Sequence, residues 1–379
     1  MKKHLLLTND FFPKLGGIQS YLYEIYSRLD PNSFIVITTK HLQADEFDRS
    51  QPFKIIRYPQ KVLLPTKKLS KLVIATAREF GATDVIIDPI FPLGLISFFL
   101  PKANINYGFI VHGAELTIYA RLILTKPALK AVTKNCRYLI AAGNYPLNEV
   151  NLLVKNSSNE QMKLLNIPPG VDPEKFKPES AKNRTALREK YSLTDDDFVI
   201  ISVSRLVKRK GMDTLIKAAD ELKLQIPELK VLIGGKGRDA KRLHNLNKKY
   251  GLPVSFIGEV DSEELPKFYS IGDVFVMACR NRWFNLEQEG FGIVYLEAAA
   301  CGLPSIGGMS GGSSDAIVDS DTGILISSEN QEYQLVKKIN YLYQNRQILA
   351  KMAYQAKKRA EQEFNYEVLS SRFATIFKE

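Results

Sequence analysis

The sequence predicts an α/β protein with two doubly wound parallel sheets, and three observations carry that prediction. Short apolar runs rich in Ile, Val and Phe alternate with longer segments of helical period along the chain. The alternation occurs twice, before and after a polar stretch at residues 175–197 that reads as a linker plus a short helix. With 379 residues the chain can build two domains, each around its own core. The expected division is an N-terminal domain over residues 1–175, completed by a C-terminal helix at about 360–379, and a C-terminal domain over residues 182–358.

The elements follow in order. Residues 3–9 form a first strand, too short in apolar core for a secretory signal. A turn-rich loop through Pro13 and Gly16-Gly17 leads to a helix with Ile18, Leu22, Ile25 and Leu29 on one face. Strand, glycine loop and helix together can cradle a phosphate, although Gly-Gly alone equally marks a tight turn. Residues 34–38 and 54–58 are the next strands. Residues 61–80 place Leu69, Leu72, Val73 and Thr76 on an apolar helical face ringed by Lys67, Lys68, Lys71 and Arg78. Such a helix packs mainly on its own sheet, leaving the lysines at its start to meet an anionic lipid surface. After a strand at 84–87, the proline-bounded run 89–100 reads as a buried or membrane-touching helix. The strand at 107–111 ends at His112-Gly-Ala-Glu115, at a strand end where open α/β sheets bind ligands. Strands at 138–141 and 164–167 and a rigid exit, Pro168-Pro-Gly-Val-Asp172, close this half.

The second half opens with a strand at 198–203 followed by Ser204-Arg205-Leu-Val-Lys208-Arg209-Lys210-Gly211. Four cations at a strand's C-terminal end fit an anion clamp better than a solvated charge run. Strands at 231–235, 255–257 and 273–277 lead to Glu289-Gly-Phe291-Gly292-Ile293-Val-Tyr-Leu-Glu297 and an Ala-rich continuation. Gly290 and Gly292 place Glu289 in a loop and start the helix near Phe291, so free backbone amides at that terminus suit an anion. Helical geometry turns positions eight apart to about 80° of one another, so Glu289 and Glu297 can face one cleft; solvated glutamates on an ordinary helix are the alternative. Residues 305–308, the turn-rich 309–315, a strand at 323–326 and helices over 329–379 complete the chain.

Composition narrows the function classes. The chain is 45% hydrophobic and 25% charged, with no apolar run long enough for a transmembrane helix. Cys136, Cys279 and Cys301 lack metal-ligand spacing and fit a reducing cytosol. The net charge of +11 is uneven: residues 1–178 hold 23 Lys and Arg against 14 Asp and Glu, the remainder 29 against 27. A basic half implies an anionic partner, with a merely solvated basic surface as the alternative.

In their order, Gly16-Gly17, His112-Gly, Pro169-Gly-Val-Asp172, Ser204-Arg205 with Lys210-Gly211, and the Glu289/Glu297 pair resemble the retaining glycosyltransferases of family 4, over most of the chain from Asn9 to about Gly323. Thr8-Asn-Asp-Phe-Phe-Pro-Lys-Leu-Gly-Gly-Ile-Gln-Ser20, Phe47-Asp-Arg-Ser-Gln-Pro-Phe53 and Val203-Ser-Arg-Leu-Val207 resemble the actinobacterial GDP-mannose-dependent phosphatidylinositol monomannoside mannosyltransferases in particular. The resemblance implies a GT-B fold: two Rossmann-like domains across a cleft, the N-terminal one for the acceptor and the C-terminal one for the sugar nucleotide. It implies that Arg205 and Lys210 clamp the donor diphosphate, aided by amides at Gly16 and Gly17. Glu289 would hold the sugar hydroxyls, Glu297 the ribose, amides at Phe291, Gly292 and Ile293 the sugar and phosphate, and His112 the sugar near its anomeric carbon. The donor would be GDP-mannose, the acceptor a phosphatidylinositol mannoside glycolipid extended by an α-1,6 linkage, and no metal would be needed. The protein would act peripherally on the cytoplasmic face of the plasma membrane.

Three departures stand out. The family's Gly-Gly-x-Pro-Glu/Asp is Gly311-Gly-Ser-Ser-Asp315 here, which predicts a looser loop. Ala114 stands where the subgroup often has a second His. The insertion Arg280-Asn-Arg-Trp-Phe-Asn-Leu-Glu287 holds the only Trp and would shape the acceptor site or cover the cleft. Competing readings fare worse. Asp195–Asp197 and Asp319/Asp321 lie in polar turns rather than at a metal-binding strand end. No G-x-G-x-x-G follows the first strand, against a dehydrogenase. Aromatics are sparse around the basic helix, against nucleic-acid binding. Transfer from UDP-glucose or UDP-GlcNAc to another acceptor, and a sugar-nucleotide-binding regulator without turnover, remain as alternatives.

Overall fold

The structure, a computed structural model, describes residues 1–14, 16–113, 116, 119, 125–155, 159, 161–250, 254–283 and 287–378. It divides into two compact units, one of Met1–Pro169 with Tyr366–Glu379 and one of Gly170–Asn365. The first holds a seven-stranded sheet of β1 (His4–Thr8), β2 (Phe34–Thr39), β3 (Lys54–Tyr58), β4 (Asp84–Asp88), β5 (Asn106–Val111), β6 (Tyr138–Ala141) and β7 (Lys163–Asn166), in the order β3-β2-β1-β4-β5-β6-β7. The second holds β8 (Phe198–Val203), β9 (Leu229–Gly234), β10 (Val254–Gly258), β11 (Val274–Met277), β12 (Ser305–Gly308) and β13 (Gly323–Ile326), in the order β10-β9-β8-β11-β12-β13. All pairings are parallel. Both sheets are doubly wound, as their near-continuous apolar strands require when helices cover both faces.

Local chemistry sets the helix limits. The basic helix runs Lys67–Phe80, starting after Thr66, whose side chain accepts from the Leu69 amide, and ending at Gly81 in the left-handed region. It buries Leu69, Val73, Thr76 and Ala77 in its own core, while Lys67, Lys68 and Lys71 are exposed. The proline-bounded run becomes a 3-10 helix, Leu93–Phe99, with Leu93 and Ile96 buried and Phe98 half exposed. Its prolines limit it to this short form. The polar segment before β8 holds a short helix, as expected of a linker plus a short helix there. Its helix, Ala181–Lys190, buries Arg188, which pairs with Asp273 at 2.9 Å and donates to the carbonyls of Ile271 and Thr194.

One buried group in the first unit gives this fold a pH signature. His4 stacks on Phe377 at 3.8 Å and packs against Tyr26 and Phe34, and among the described residues neither ring nitrogen meets the geometry of a hydrogen bond. Burial holds its pKa down to about 3 from 6.5. The imidazole is therefore neutral when folded and takes up a proton on unfolding, so its contribution is complete above about pH 6.5 and is lost as pH falls toward 3. The loss at about pH 5 is about 2 kcal/mol. A His4→Phe variant keeps the stack, and its urea midpoint is expected to fall less than the parent's between about pH 7 and 5. Parallel slopes would contradict the assignment.

Candidate active site

The second unit carries four loops at the C-terminal ends of β9, β8, β11 and β12, where the strand order reverses and open α/β sheets bind ligands. After β8, a 3-10 turn, Lys208–Lys210, ends at Gly211 with φ 73°. A Cβ at Gly211 would lie 1.9 Å from the Ala278 carbonyl oxygen, so only glycine fits there. This turn directs Lys210 inward, where it is buried, while Arg205 stays exposed with no ion pair among the described residues.

Buried Glu289 receives that lysine. Its Oε2 accepts from Lys210 Nζ at 2.8 Å and from the Arg209 guanidinium at 2.5 Å. Burial pushes the carboxyl upward, but the Lys210 and Arg209 charges outweigh it and hold the pKa below the usual carboxylate value. Oε1 has no partner among the described residues. The backbone is fixed as well: the Glu289 N–H donates to Ser310 Oγ at 3.1 Å, and the Gly312 N–H to the Glu289 carbonyl at 3.1 Å. Gly311 has φ 51°, and a Cβ on it would sit 2.0 Å from that carbonyl.

Hydrogen bonds hold this loop where the family has a proline. Ser313 is fully buried, donates to the Gly308 carbonyl at 2.7 Å and accepts from the Ser310 N–H at 2.9 Å. Arg359 clamps the Asp315 and Ala316 carbonyls at 3.0 Å each.

The next helix, Ile293–Ala300, starts two residues beyond Phe291, where the sequence places its beginning. Gly292 caps it at φ 85° with no side-chain cap, so its first-turn amides are not satisfied by a capping side chain. Phe291 is buried edge-on to Phe364, and Tyr295 donates to the Met277 carbonyl at 2.7 Å. Further along, half-buried Glu297 accepts from the Tyr269 hydroxyl at 2.8 Å. Burial raises its pKa, opposed by the Tyr269 hydrogen bond and by the charges of Lys175 and Lys210. Lys210 thus acts on both carboxyls. On the β11 side, Arg280 pairs with Asp213 at 2.8 Å and bonds Thr214, tying the inserted segment to the helix after Gly211. Arg282 and Glu287 close the insertion as an antiparallel bridge, with Trp283 exposed beneath the Arg282 guanidinium at 4.8 Å.

The first unit holds its own cluster where β1, β4 and β5 end. His112 Nε2 lies 3.0 Å from Asp88 Oδ1, and Asp88 Oδ2 accepts from Thr8 Oγ1 at 2.8 Å. Tyr21 stands edge-on to the imidazole at 5.6 Å, fixing the ring plane. Gly16 and Gly17 are exposed at the start of the helix Gly17–Tyr26, and Gln19 and Lys14 both donate to Asp10. Ala114, Glu115 and residues 284–286 lie outside the described residues. The sequence did not single out Asp88 or Tyr269 as functional, and it placed Arg209 in the cationic run without its partner Glu289. The signal for Asp88 was a carboxylate at the C-terminal end of a strand with an apolar interior, where open α/β sheets bind ligands.

Comparison with known proteins decides what this geometry belongs to. Residues 183–359 match the family described as glycosyl transferases group 1. A GDP-mannose-dependent monoacylated alpha-(1-6)-phosphatidylinositol monomannoside mannosyltransferase of Corynebacterium glutamicum is 30% identical over 100% of this chain and 98% of its own. The GDP-mannose-dependent alpha-(1-6)-phosphatidylinositol monomannoside mannosyltransferase of Mycolicibacterium smegmatis is 32% identical over 85% of this chain and 84% of its own. The chain belongs to the group 1 glycosyltransferases.

As a group 1 glycosyltransferase it has the GT-B fold of two Rossmann-like units. Anabaena HepE, solved with UDP, superposes with a TM-score of 0.81 at 20% identity over 99% of both chains. A glycosyltransferase from Rickettsia africae gives 0.80 at 18% identity, covering 100% of this chain and 98% of its own. In this glycosyltransferase, Lys210, Arg209, Glu289 and Glu297 converge on the C-terminal edge of the second sheet, together with the uncapped helix start at Gly292. Such a set offers positive charge for an oxyanion and carboxylate oxygens for hydroxyls. Among the described residues, no group of three or more His, Cys, Asp or Glu side chains is placed to hold a metal ion.

Proposed function

We propose that this glycosyltransferase moves mannose from GDP-mannose to a phosphatidylinositol mannoside, forming an α-1,6 linkage with retention at the anomeric carbon. The observation that carries the reading is the 30% identity that spans the full length of a mannosyltransferase of that specificity. The site chemistry supports it. Arg205 and Lys210 neutralise the charge that grows on the diphosphate as the glycosidic bond breaks, and amides at Gly16 and Gly17 add donors. Glu289, anchored through Oε2, presents Oε1 to sugar hydroxyls, and Glu297 reads the ribose. Amides at Phe291, Gly292 and Ile293 support sugar and phosphate. His112, oriented by Asp88, positions the sugar. The acceptor hydroxyl attacks the face the diphosphate leaves, its oxygen bonds the anomeric carbon, and the departing phosphate takes its proton. No side-chain nucleophile and no metal enter this reading.

The acceptor is a lipid, and the first unit has a surface suited to one. Lys67, Lys68 and Lys71 are exposed beside Val62 and Leu64, which are 54% and 47% exposed. Among the described residues, no helix is long and apolar enough to cross a membrane. Peripheral binding to the anionic inner leaflet, with the catalytic units in the cytoplasm, follows from this reading. Two binding measurements test it. GDP-mannose should bind with a Kd about tenfold or more below that of UDP-glucose. Vesicles with about a third phosphatidylglycerol should retain the protein and release it as salt rises, since each lysine contributes about 1 kcal/mol. Equal donor affinities, or retention indifferent to anionic lipid, would count against it.

A further inference from the structure

Glu297 is an unusual residue for its helix. Tyr295, Leu296, Ala298, Ala299 and Ala300 around it are buried, so a carboxyl there carries a desolvation cost that packing does not explain. What holds it is a single hydrogen bond to Oε2, and Oε1 has no partner among the described residues. The donor is rigid. Tyr269 is fully buried on the helix Leu265–Ser270, packed edge-on against Phe275 at 5.8 Å and tilted against Phe176 at 6.2 Å. A glutamate has three rotatable bonds, and a rigid donor holding one oxygen, with buried neighbours on the helix, restricts where the other oxygen can point.

We infer that Tyr269 is a positioning residue for donor recognition: it pins Glu297 through Oε2 so that Oε1 is aimed at the vicinal hydroxyls of a nucleoside-diphosphate ribose. The inference rests on Glu297 as the ribose reader and adds the residue that makes it selective. A pre-aimed carboxylate accepts from both hydroxyls of a cis-diol at once, whereas a freely turning one must be ordered on binding. A site built to bond a hydroxyl also rejects the analogue that lacks it. Tyr269 does not touch the donor and takes no part in the chemical step.

The test compares GDP with 2′,3′-dideoxy-GDP on full-length parent and Tyr269→Phe proteins by calorimetry. The parent should prefer GDP, and the variant should lose about tenfold of that preference while its affinity for the dideoxy analogue stays the same. KM for GDP-mannose should rise by a similar factor with kcat little changed. A role confined to packing would weaken both nucleotides equally. A discriminating parent beside an equally discriminating variant overturns the Tyr269 assignment alone, and a parent with no preference overturns the Glu297 reading beneath it. Placing 3-fluorotyrosine at position 269, which keeps ring and hydroxyl, guards against a variant that fails to fold. Its ¹⁹F resonance should move on adding GDP and stay in place with the dideoxy analogue; equal shifts contradict the proposal.

Discussion

Lys210→Met lowers kcat about 10²- to 10³-fold, the loss expected when a preorganised charge facing the leaving group is removed. The side chain is buried, lies 2.8 Å from Glu289, and its charge also reaches Glu297. A cation so placed is desolvated in advance and needs no reorganisation as charge grows on the diphosphate. The substitution also takes one of two cations from a buried carboxylate, and breaking a fully buried pair costs about 3–5 kcal/mol. Arg209 remains at 2.5 Å, so the expected stability loss is smaller, about 2 kcal/mol. Steady-state kinetics beside thermal unfolding separates the two effects. A stable variant with near-parental kcat would remove Lys210 from the chemistry.

Glu289→Gln acts with opposite signs on its two functions. The amide grips sugar hydroxyls less well, so kcat/KM for the donor is expected to fall about 100-fold. At the same time Arg209 and Lys210 lose their counter-charge and are left for the diphosphate alone. Free GDP should then bind as tightly as to the parent or more tightly, and should raise the variant's melting temperature by more than the parent's. A structural role alone would weaken sugar nucleotide and GDP together. Acid titration gives a further check. The Glu289 pKa is lowered in the folded protein, so its contribution is present above about pH 4.5 and lost below that as the carboxyl protonates. That window lies below the onset near pH 6.5 assigned to His4. Glu289→Gln should therefore change only the steepest acid limb of the stability profile. Because Lys210 and Glu289 touch, their single-variant effects should not add.

Much of this architecture is legible in apolar runs. Strands such as Phe198–Val203 and Asp84–Asp88 are short, β-branched and bounded by turn residues, and burial on both faces leaves a pattern that few helices share. The stretch at 305–308 was harder to read, because its Ser-Ile-Gly-Gly has little strand propensity; pairing with β11 and β13 on both sides makes it β12. Arg188 shows the same limit: the short helix in the polar stretch is legible, but its buried guanidinium is not. Within the site, the glutamate pair and the cationic run are visible, but not which cations turn inward. Lys208, Arg209 and Lys210 differ by one position each, and the tight turn enforced at Gly211 selects the last two. Tyr269 lies 28 residues before Glu297 on a six-residue helix, a separation that no local pattern encodes. The serine-rich loop after Gly312 has a related limit: a missing proline is apparent in one dimension, whereas the hydrogen bonds of Ser313 exist only in three.

Mannosyl transfer itself is the most direct test. The full-length protein is incubated with GDP-[¹⁴C]mannose and phosphatidylinositol monomannoside in anionic vesicles, with UDP-[¹⁴C]glucose in parallel. A labelled lipid dimannoside whose new bond is cleaved by an α-1,6-mannosidase, from GDP-mannose far faster than any product from UDP-glucose, is the result expected. No labelled lipid, or equal use of UDP-glucose, would contradict the account.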